Sequence, residues 1–511
     1  MVSRKKASII NASTALTAQL VKLLGQFIVQ TVFIRTLGAE YLGANGLFTN
    51  LITFLSFAEL GIGAALSYSF YKPLVDNDIE GISAILNLYR KVYNSIGCAI
   101  LLLGGMLSYF IPNLVKNSES IEHIRVYFIL FLLSSVVSYF FTYNRSLLIA
   151  NQEGSVDSMN QLFFSVFKYV FQLILLIFFH SYAGFLIVQI VSNLLSNLAI
   201  TRLARKRYPY LMKNKNIMPD SSIISQIKRN VIGTVSSKVG SVVVNGTDNI
   251  LISKFIGLTV VGIYSNYALV VTGITTILSQ VLNSVIASFG NLGVSERNNV
   301  EKQVNLFDQF VFFNGFIVIF IGLVSFVLFQ PFVSIWIGDK YHLSNITLLL
   351  IVINFVLAQF RPALFLVNAY GLFWGYRYKS IVEALVNFCL SFYLVKYTSM
   401  GIDGVLLGTI VGNIFVNSWW DPLILFSGAF HRGILNFYIK YWLYLLIFVL
   451  SLGAEYAFIE NVSINIQGFI DLIKYAIAIS ITIGLGLLIL LGFTSGGRLT
   501  YRSVINHLKN K

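Results

Sequence analysis

Charged side chains are scarce in this chain: 11% of its 511 residues are Asp, Glu, Lys or Arg, and the acids are the smaller part, 21 against 36 bases. Soluble domains carry about a quarter, so a water-facing globule is excluded. Cysteine is almost missing. Cys98 and Cys389 each lie inside an apolar block, which argues against a disulfide or a metal pair and reads as core filler. The five histidines stand singly, so no metal site is implied. There is no Walker A sequence, and Gly61-Ile-Gly63 lacks the third glycine and the strand context of a dinucleotide loop. ATP hydrolysis and dinucleotide chemistry are therefore excluded, and no cofactor is called for. The first apolar stretch holds too many amides and runs too long for a cleaved signal, and is expected to stay as the first membrane helix.

Apolar residues fill the space that charge leaves. They make up 56% of the chain, with a mean hydropathy of +0.77, in blocks of roughly 18 to 25 residues that can each cross about 30 Å of hydrocarbon. About fourteen such blocks are present. The alternating period of a membrane barrel is absent, so the fold class is an all-α polytopic membrane protein. The basic surplus does not point to nucleic acid, because most bases sit in short connectors. With Arg4, Lys5 and Lys6 placed in the cytoplasm, alternate loops on that side hold about two dozen Lys and Arg against roughly six opposite. A multi-pass protein of the cell membrane with both termini cytoplasmic is expected.

The chain is a duplication. Asn11, Thr17, Gln19, Lys22, Gln26, Gln30, Arg35, Gly38 and Gly43 recur at one constant offset, without a gap, as Asn230, Ser236, Lys238, Ser241, Asn245, Asn249, Lys254, Gly257 and Gly262. A long basic connector from Arg202 to Lys228 divides the copies. The expected organisation is an N-terminal lobe of six helices over 1–204, a cytoplasmic linker over 205–229, a C-terminal lobe of six helices over 230–430, and an accessory helix pair with a basic tail over 431–511. An even number of helices per lobe gives the copies the same orientation.

Polar residues fall at helical spacing. Gln19, Lys22, Gln26 and Gln30 share one face of the first helix, and Lys238, Asn245 and Asn249 share one face of its copy. Lys168 and Gln172 lie on the fifth helix, Asn354 and Arg361 on the tenth, and Glu383 and Asn387 on the eleventh. A charge at mid-membrane costs about 2.5 to 3.5 kcal/mol on insertion scales. Lys22, Lys168, Lys238 and Arg361 therefore need water or a partner, and they are the candidate anion-binding groups. The amides are the candidate lining of a hydrated cleft between the lobes, where they replace water around a hydroxyl-rich body. Read singly, each amide is also an ordinary interhelical hydrogen-bonding group. Glu59, Asp248 and Glu383 either balance these cations or hold a coupling proton or sodium ion. Arg35, Lys254 and Arg145 lie near helix ends, where they snorkel to headgroups.

Arg35-Thr-Leu-Gly38-Ala-Glu40-Tyr-Leu-Gly43, Glu59-Leu-Gly61-Ile-Gly63, Asp248 with Gly257 and Gly262-Ile-Tyr264, Trp336-Ile-Gly338-Asp-Lys-Tyr341, and Gly401-Ile-Asp-Gly404-Val-Leu-Leu-Gly408-Thr409 follow one another across most of the chain. In that order the sequence resembles the multidrug, oligosaccharidyl-lipid and polysaccharide exporter superfamily, and within it the polysaccharide-transporter branch of Wzx-like flippases. The resemblance implies two six-helix lobes around a cationic cavity. It also implies alternating access that moves a polyprenyl-pyrophosphate-linked oligosaccharide from the inner to the outer leaflet, in a setting with membrane lipid, a polysaccharide polymerase and chain-length machinery. It implies a transporter, not an enzyme. The alternatives are a cation-coupled multidrug exporter, a peptidoglycan lipid-precursor flippase and, third, a membrane polysaccharide polymerase or ligase.

Overall fold

The computed structural model describes residues 4–59, 62, 69–116, 121–151, 153–210, 217–221, 224, 225, 227, 246–295, 299–370, 372, 375, 378–461, 466 and 468–509. Among these, every regular element is helical and no strand occurs. The composition requires this, because in hydrocarbon a backbone N–H or C=O finds no water, and a helix satisfies both within one segment. Among the described residues eleven helices are long and apolar enough to cross a bilayer. The count is twelve if Ile124–Tyr139 and Tyr143–Ala150, bent by 43°, form one span. Two further apolar stretches, 42–68 and 231–255, run into undescribed residues.

The chain divides into two compact units, Met1–Ser265 and Asn266–Lys511. The first contains α1 (Arg4–Thr36), α2 (Ala39–Leu55) with a 3₁₀ turn over Ser56–Glu59, and α3 (Tyr71–Asp76). There follow α4 (Ile79–Phe110), α5 (Ile124–Tyr139), α6 (Tyr143–Ala150), α7 (Gly154–Phe179) and α8 (Tyr182–Arg207). The unit closes with α9 (246–255) and the first turns of α10 (Leu258–Ser295). Side chains fix several starts. Asp78 Oδ1 accepts from Gly81 N at 2.8 Å to open α4, and Ser181 Oγ accepts from Gly184 N at 3.1 Å to open α8; each satisfies an otherwise orphaned donor. Cys98 on α4 is exposed, as is Cys389 in the second unit. Neither fills a core: an apolar block says that a helix is in the membrane, while the helical period decides which of its residues face inward.

Inside the first unit the two copies of the repeat meet about a local two-fold. Gly38 and its equivalent Gly257 both turn the chain at positive φ, 87° and 135°. One turn on, a Cβ at Gly43 would lie 1.9 Å from Leu258 O, and one at Gly262 would lie 1.8 Å from Ala39 O. Ala39 and Leu258 are themselves equivalent positions, so each glycine receives the backbone of the other copy. Gln30 Nε2 donates to Ser265 O at 3.4 Å, and its equivalent Asn249 lies beside Gly46, the equivalent of Ser265, with Nδ2 3.8 Å from where a Cβ at Gly46 would stand. The duplication is thus expressed as a backbone-to-backbone helix crossing that only a residue without a side chain permits.

The second unit holds the rest of α10, then α11 (Val300–Trp336), α12 (Asn345–Gln359), α13 (Pro362–Ala369) and α14 (Lys379–Tyr397). Next come α15 (Ile402–Gly412), a π-helical turn over Asn413–Asn417, α16 (Ser418–Leu425) and a second π-helical turn over Phe426–Phe430. The unit ends with α17 (Leu435–Asn461), α18 (Phe469–Gly492) and α19 (Ser495–Lys509). Pro331 does not end α11, which continues to Trp336; a proline this near a membrane helix terminus removes a single backbone bond and is tolerated. The helix that carries Asn354 does not run on through Arg361 but is split at Phe360 and Arg361. Pro362 cannot donate, and it pushes Arg361 out of the helical region to φ −129°, ψ 61°.

Candidate functional site

The polar face of α1 packs on the polar face of α7. Tyr169 of α7 fills the space left by the missing side chain at Gly25, where a Cβ would lie 2.4 Å from its ring, and its hydroxyl donates to Lys22 O at 3.2 Å. That contact sets the register. Lys22 Nζ donates to Gln161 Oε1 at 2.6 Å, and Gln161 Nε2 donates to Asp157 Oδ2 at 2.7 Å. Asp157 Oδ1 is paired with Arg145 Nη1. Arg145 also donates from Nη2 to Ser196 Oγ at 2.7 Å and to Asn197 Oδ1 at 3.0 Å. The chain of polar contacts therefore crosses four helices.

Arg145 does not snorkel. The bend between α5 and α6 turns it inward, and its side chain is 13% exposed. Neither its pairing nor Asp157 stood out in the sequence. The available signal was an Arg and an Asp twelve residues apart across a short connector, in a chain with few charges.

Two open polar cavities adjoin this network. One of about 230 Å³ is bordered by Arg145, Gln161, Lys168, Ser192, Asn193 and Asn197. The other, about 240 Å³, is bordered by Gln26, Gln30, Asn45, Lys168, Gln172 and Gln189. Lys168 borders both. Its Nζ lies 4.9 Å from the centroid of the Tyr169 ring, and among the described residues no carboxylate pairs with it. Lys22, Arg145 and Lys168 against Asp157 leave the network with two surplus positive charges in a setting where burial discourages any.

The second unit treats its charge differently. Arg361 Nη2 and Lys379 Nζ each lie 2.7 Å from an oxygen of Asp421, whose side chain is 2% exposed. Glu383 accepts from Asn417 Nδ2 at 2.8 Å nearby and acts electrostatically on Lys379. Two cations meet two anions here, so Arg361 sits in a balanced cluster. The second cation of the cluster, Lys379, was not read from the sequence, because it falls at the first residue of α14 where a helix-end lysine looks unremarkable.

The remaining candidates separate into roles. Asn354 Nδ2 donates to Leu406 O at 3.0 Å and Asn387 Nδ2 to Thr409 Oγ1 at 2.8 Å, so both join helices. Glu59 accepts from Tyr93 OH at 3.1 Å. Asp248 lies on α9 within electrostatic reach of Tyr264, and Asn249 lies beside the repeat crossing. Gln19 is on α1, outside the walls of both cavities. Lys238 and Asn245 lie outside the described residues.

Residues 9–289 match a family model described as polysaccharide biosynthesis protein. No curated protein matches the chain. Among solved structures it is similar to the lipid II flippase MurJ in an inward closed conformation, with TM-score 0.67 and 14% identity over 97% of this chain and 100% of that one. It is also similar to an inward-facing multidrug resistance MATE family transporter of the MOP superfamily, with TM-score 0.62 and 17% identity over 81% and 98%. A MOP superfamily transporter from Pyrococcus furiosus, described as having a binding pocket of reverse polarity, gives TM-score 0.55 and 17% identity over 84% and 97%. At these identities the likeness is one of fold.

Proposed function

Because the chain belongs to the polysaccharide biosynthesis protein family and has the fold of MOP superfamily transporters, we propose that it is a flippase for polyprenyl-pyrophosphate-linked oligosaccharides. It moves repeat units from the inner to the outer leaflet of the cell membrane by alternating access, for capsule, exopolysaccharide or O-antigen-like assembly. The observation that carries this reading is the surplus of two positive charges around open cavities in the first unit, with Lys168 unmatched by a carboxylate among the described residues. A diphosphate brings about two negative charges and several acceptor oxygens, which Lys and Arg bind through charge-assisted hydrogen bonds.

Lys22, Arg145 and Lys168 hold the diphosphate. Gln26, Gln30, Gln172, Asn45 and Gln189 replace water around the first sugars, while the prenyl chain stays in the bilayer. Residues 1–204 and 230–430 are the two lobes that alternate, joined by the linker 205–229, with 431–511 an accessory pair. Lys238 and Arg361 are the cations of the second copy, Arg361 restrained by Asp421 in this state. Both termini lie in the cytoplasm, and the delivered units pass to a polymerase and chain-length machinery. A cation-coupled drug exporter requires an acidic pocket, and the charge balance in the first unit runs the other way. A peptidoglycan-precursor flippase shares the diphosphate chemistry, and substrate choice separates the two.

The test is flipping of a short-chain prenyl-pyrophosphate-linked sugar by the purified protein in proteoliposomes. Removing one charge-assisted contact costs about 1.5 to 3 kcal/mol, so Lys168→Ala is expected to slow transport about 10- to 100-fold. Lys168→Arg should retain most of it. Unchanged flipping by a Lys22→Ala/Lys168→Ala double variant removes both residues from the site.

A further inference from the structure

A third cavity, about 340 Å³, lies in the second unit between the end of α11, the start of α12 and the facing ends of α17 and α18. Its walls differ in kind. Gln330, Ser334, His342 and Asn345 form a polar side, and Phe326, Val327, Leu348 and Ile459 an apolar side. The polar side is largely satisfied within the protein. Gln330 Nε2 donates to Leu343 O at 2.6 Å, its Oε1 accepts from Tyr267 OH at 3.0 Å, and Ser334 Oγ and His342 Nε2 share a hydrogen bond of 2.7 Å.

Two groups beside it are not satisfied. Tyr475 lines the cavity, and its hydroxyl is shielded from solvent with no hydrogen-bond partner among the described residues. Glu455, one turn before the lining residue Ile459 and on the same face of α17, has a shielded Oε2 in the same condition. The two side chains are within electrostatic reach of each other. A carboxylate oxygen and a phenol that lie shielded behind the wall of an open cavity, with no partner among the described residues, are groups that a donor entering the cavity would satisfy. Among the described residues no Lys or Arg lines the cavity, and the neighbouring Lys474 leans on Asp471 at 3.5 Å.

Depth and polarity define that donor further. Trp336, Tyr341 and Lys340, which lies 4.9 Å from the Tyr341 ring centroid, mark the aqueous interface at this end of α11. Glu455 is about 9 Å inside the end of α17 at 1.5 Å per residue, the depth of headgroups and glycerol. Asn345 opens the 15-residue helix α12, whose N-terminus favours negative charge. The cavity therefore offers an acceptor for a cation on one side, a place for an anion on the other, and an apolar wall beneath.

We propose that this cavity holds a phospholipid with a primary-amine headgroup, taken from the leaflet at this end of the protein. Its ammonium donates to Glu455 and to the Tyr475 oxygen, its phosphate lies toward Asn345 and His342, and its acyl chains run along Phe326, Val327 and Ile459. This lipid is a resident partner, and its binding does not depend on what the first unit carries.

The experiment titrates the delipidated full-length protein in detergent with dioleoyl phosphatidylethanolamine, phosphatidylcholine or phosphatidylglycerol and counts retained lipid by native mass spectrometry. Phosphatidylethanolamine is expected to be retained about tenfold better than the other two, since only its headgroup supplies charged N–H donors. Glu455→Gln should abolish the preference while leaving phosphatidylglycerol retention as in the wild type, and Tyr475→Phe should weaken it. Equal retention of the three lipids by the wild type, or an undiminished preference in Glu455→Gln, overturns the proposal. If Glu455→Gln does not yield a monodisperse protein, the wild-type ranking and Tyr475→Phe decide, and a preference that survives Tyr475→Phe unchanged counts against the site.

Discussion

Replacing Gly43 by alanine tests whether the duplication is held together by its glycines. The added Cβ would stand 1.9 Å from Leu258 O and 2.8 Å from Leu258 C. A carbon and a carbonyl oxygen rest at roughly 3.3 Å, so the two helices must part by about 1.4 Å. Both contacting atoms are backbone, and no side chain can swing aside to absorb the change. Overpacking of this kind costs about 1 to 3 kcal/mol. For a unit of this size that corresponds to a fall of roughly 2 to 12 °C in melting temperature, at about 2 to 4 °C per kcal/mol. Gly262→Ala meets Ala39 O at 1.8 Å and should behave alike. The double variant is the sharper measurement. One separation of the helices makes room for both methyl groups, so its destabilisation should barely exceed that of either single change, a large departure from additivity. Gly105→Ala, with nothing within 4 Å of its Cβ position, is the control and should be neutral or slightly stabilising. The assay is thermal unfolding of the purified variants in one detergent. Single variants that melt like Gly105→Ala, or a double variant whose loss equals the sum of the singles, would refute the reasoning.

Other consequences follow from the charge clusters. Asp421→Asn leaves Arg361 and Lys379 facing each other without their shared anion, and a loss of about 3 to 5 kcal/mol is expected; a melting temperature within a degree of wild type would show that the cluster is not an energetic unit. Asp157→Asn should destabilise by a similar route through Arg145 while making the cavity more positive. A measured gain in affinity for a pyrophosphate-bearing lipid together with a lower melting temperature is the expected pair of readouts. If two net negative charges cross outward, an inside-negative potential favours the step by about 4 to 5 kcal/mol per 100 mV. Flipping in proteoliposomes should then accelerate with imposed voltage, and indifference to it would mean that the charge is compensated during transport.

Much of this was legible in the sequence for a plain reason. Hydrocarbon leaves a spanning backbone only one local solution when barrel alternation is missing, so apolar block length alone gives helices and membrane. Helical spacing likewise puts Lys22, Gln26 and Gln30 on one face, and Lys168 with Gln172 on another, before any coordinates exist. Periodicity assigns residues to a face but does not say which faces meet. The facing of α1 and α7 through Tyr169 and Gly25, the inward turn of Arg145 onto Asp157, and the neutralisation of Arg361 by Asp421 beside Lys379 are all relations between different helices, whether neighbouring or distant in the chain.

The sequence by itself determined that two copies of one helical pattern lie in a membrane with cations on their polar faces. Only the tertiary structure decided which of those cations keep an unspent charge. Lys168 does so beside two cavities and Arg361 does not, because compensation of charge depends on distances of a few ångströms between helices, which no linear spacing encodes.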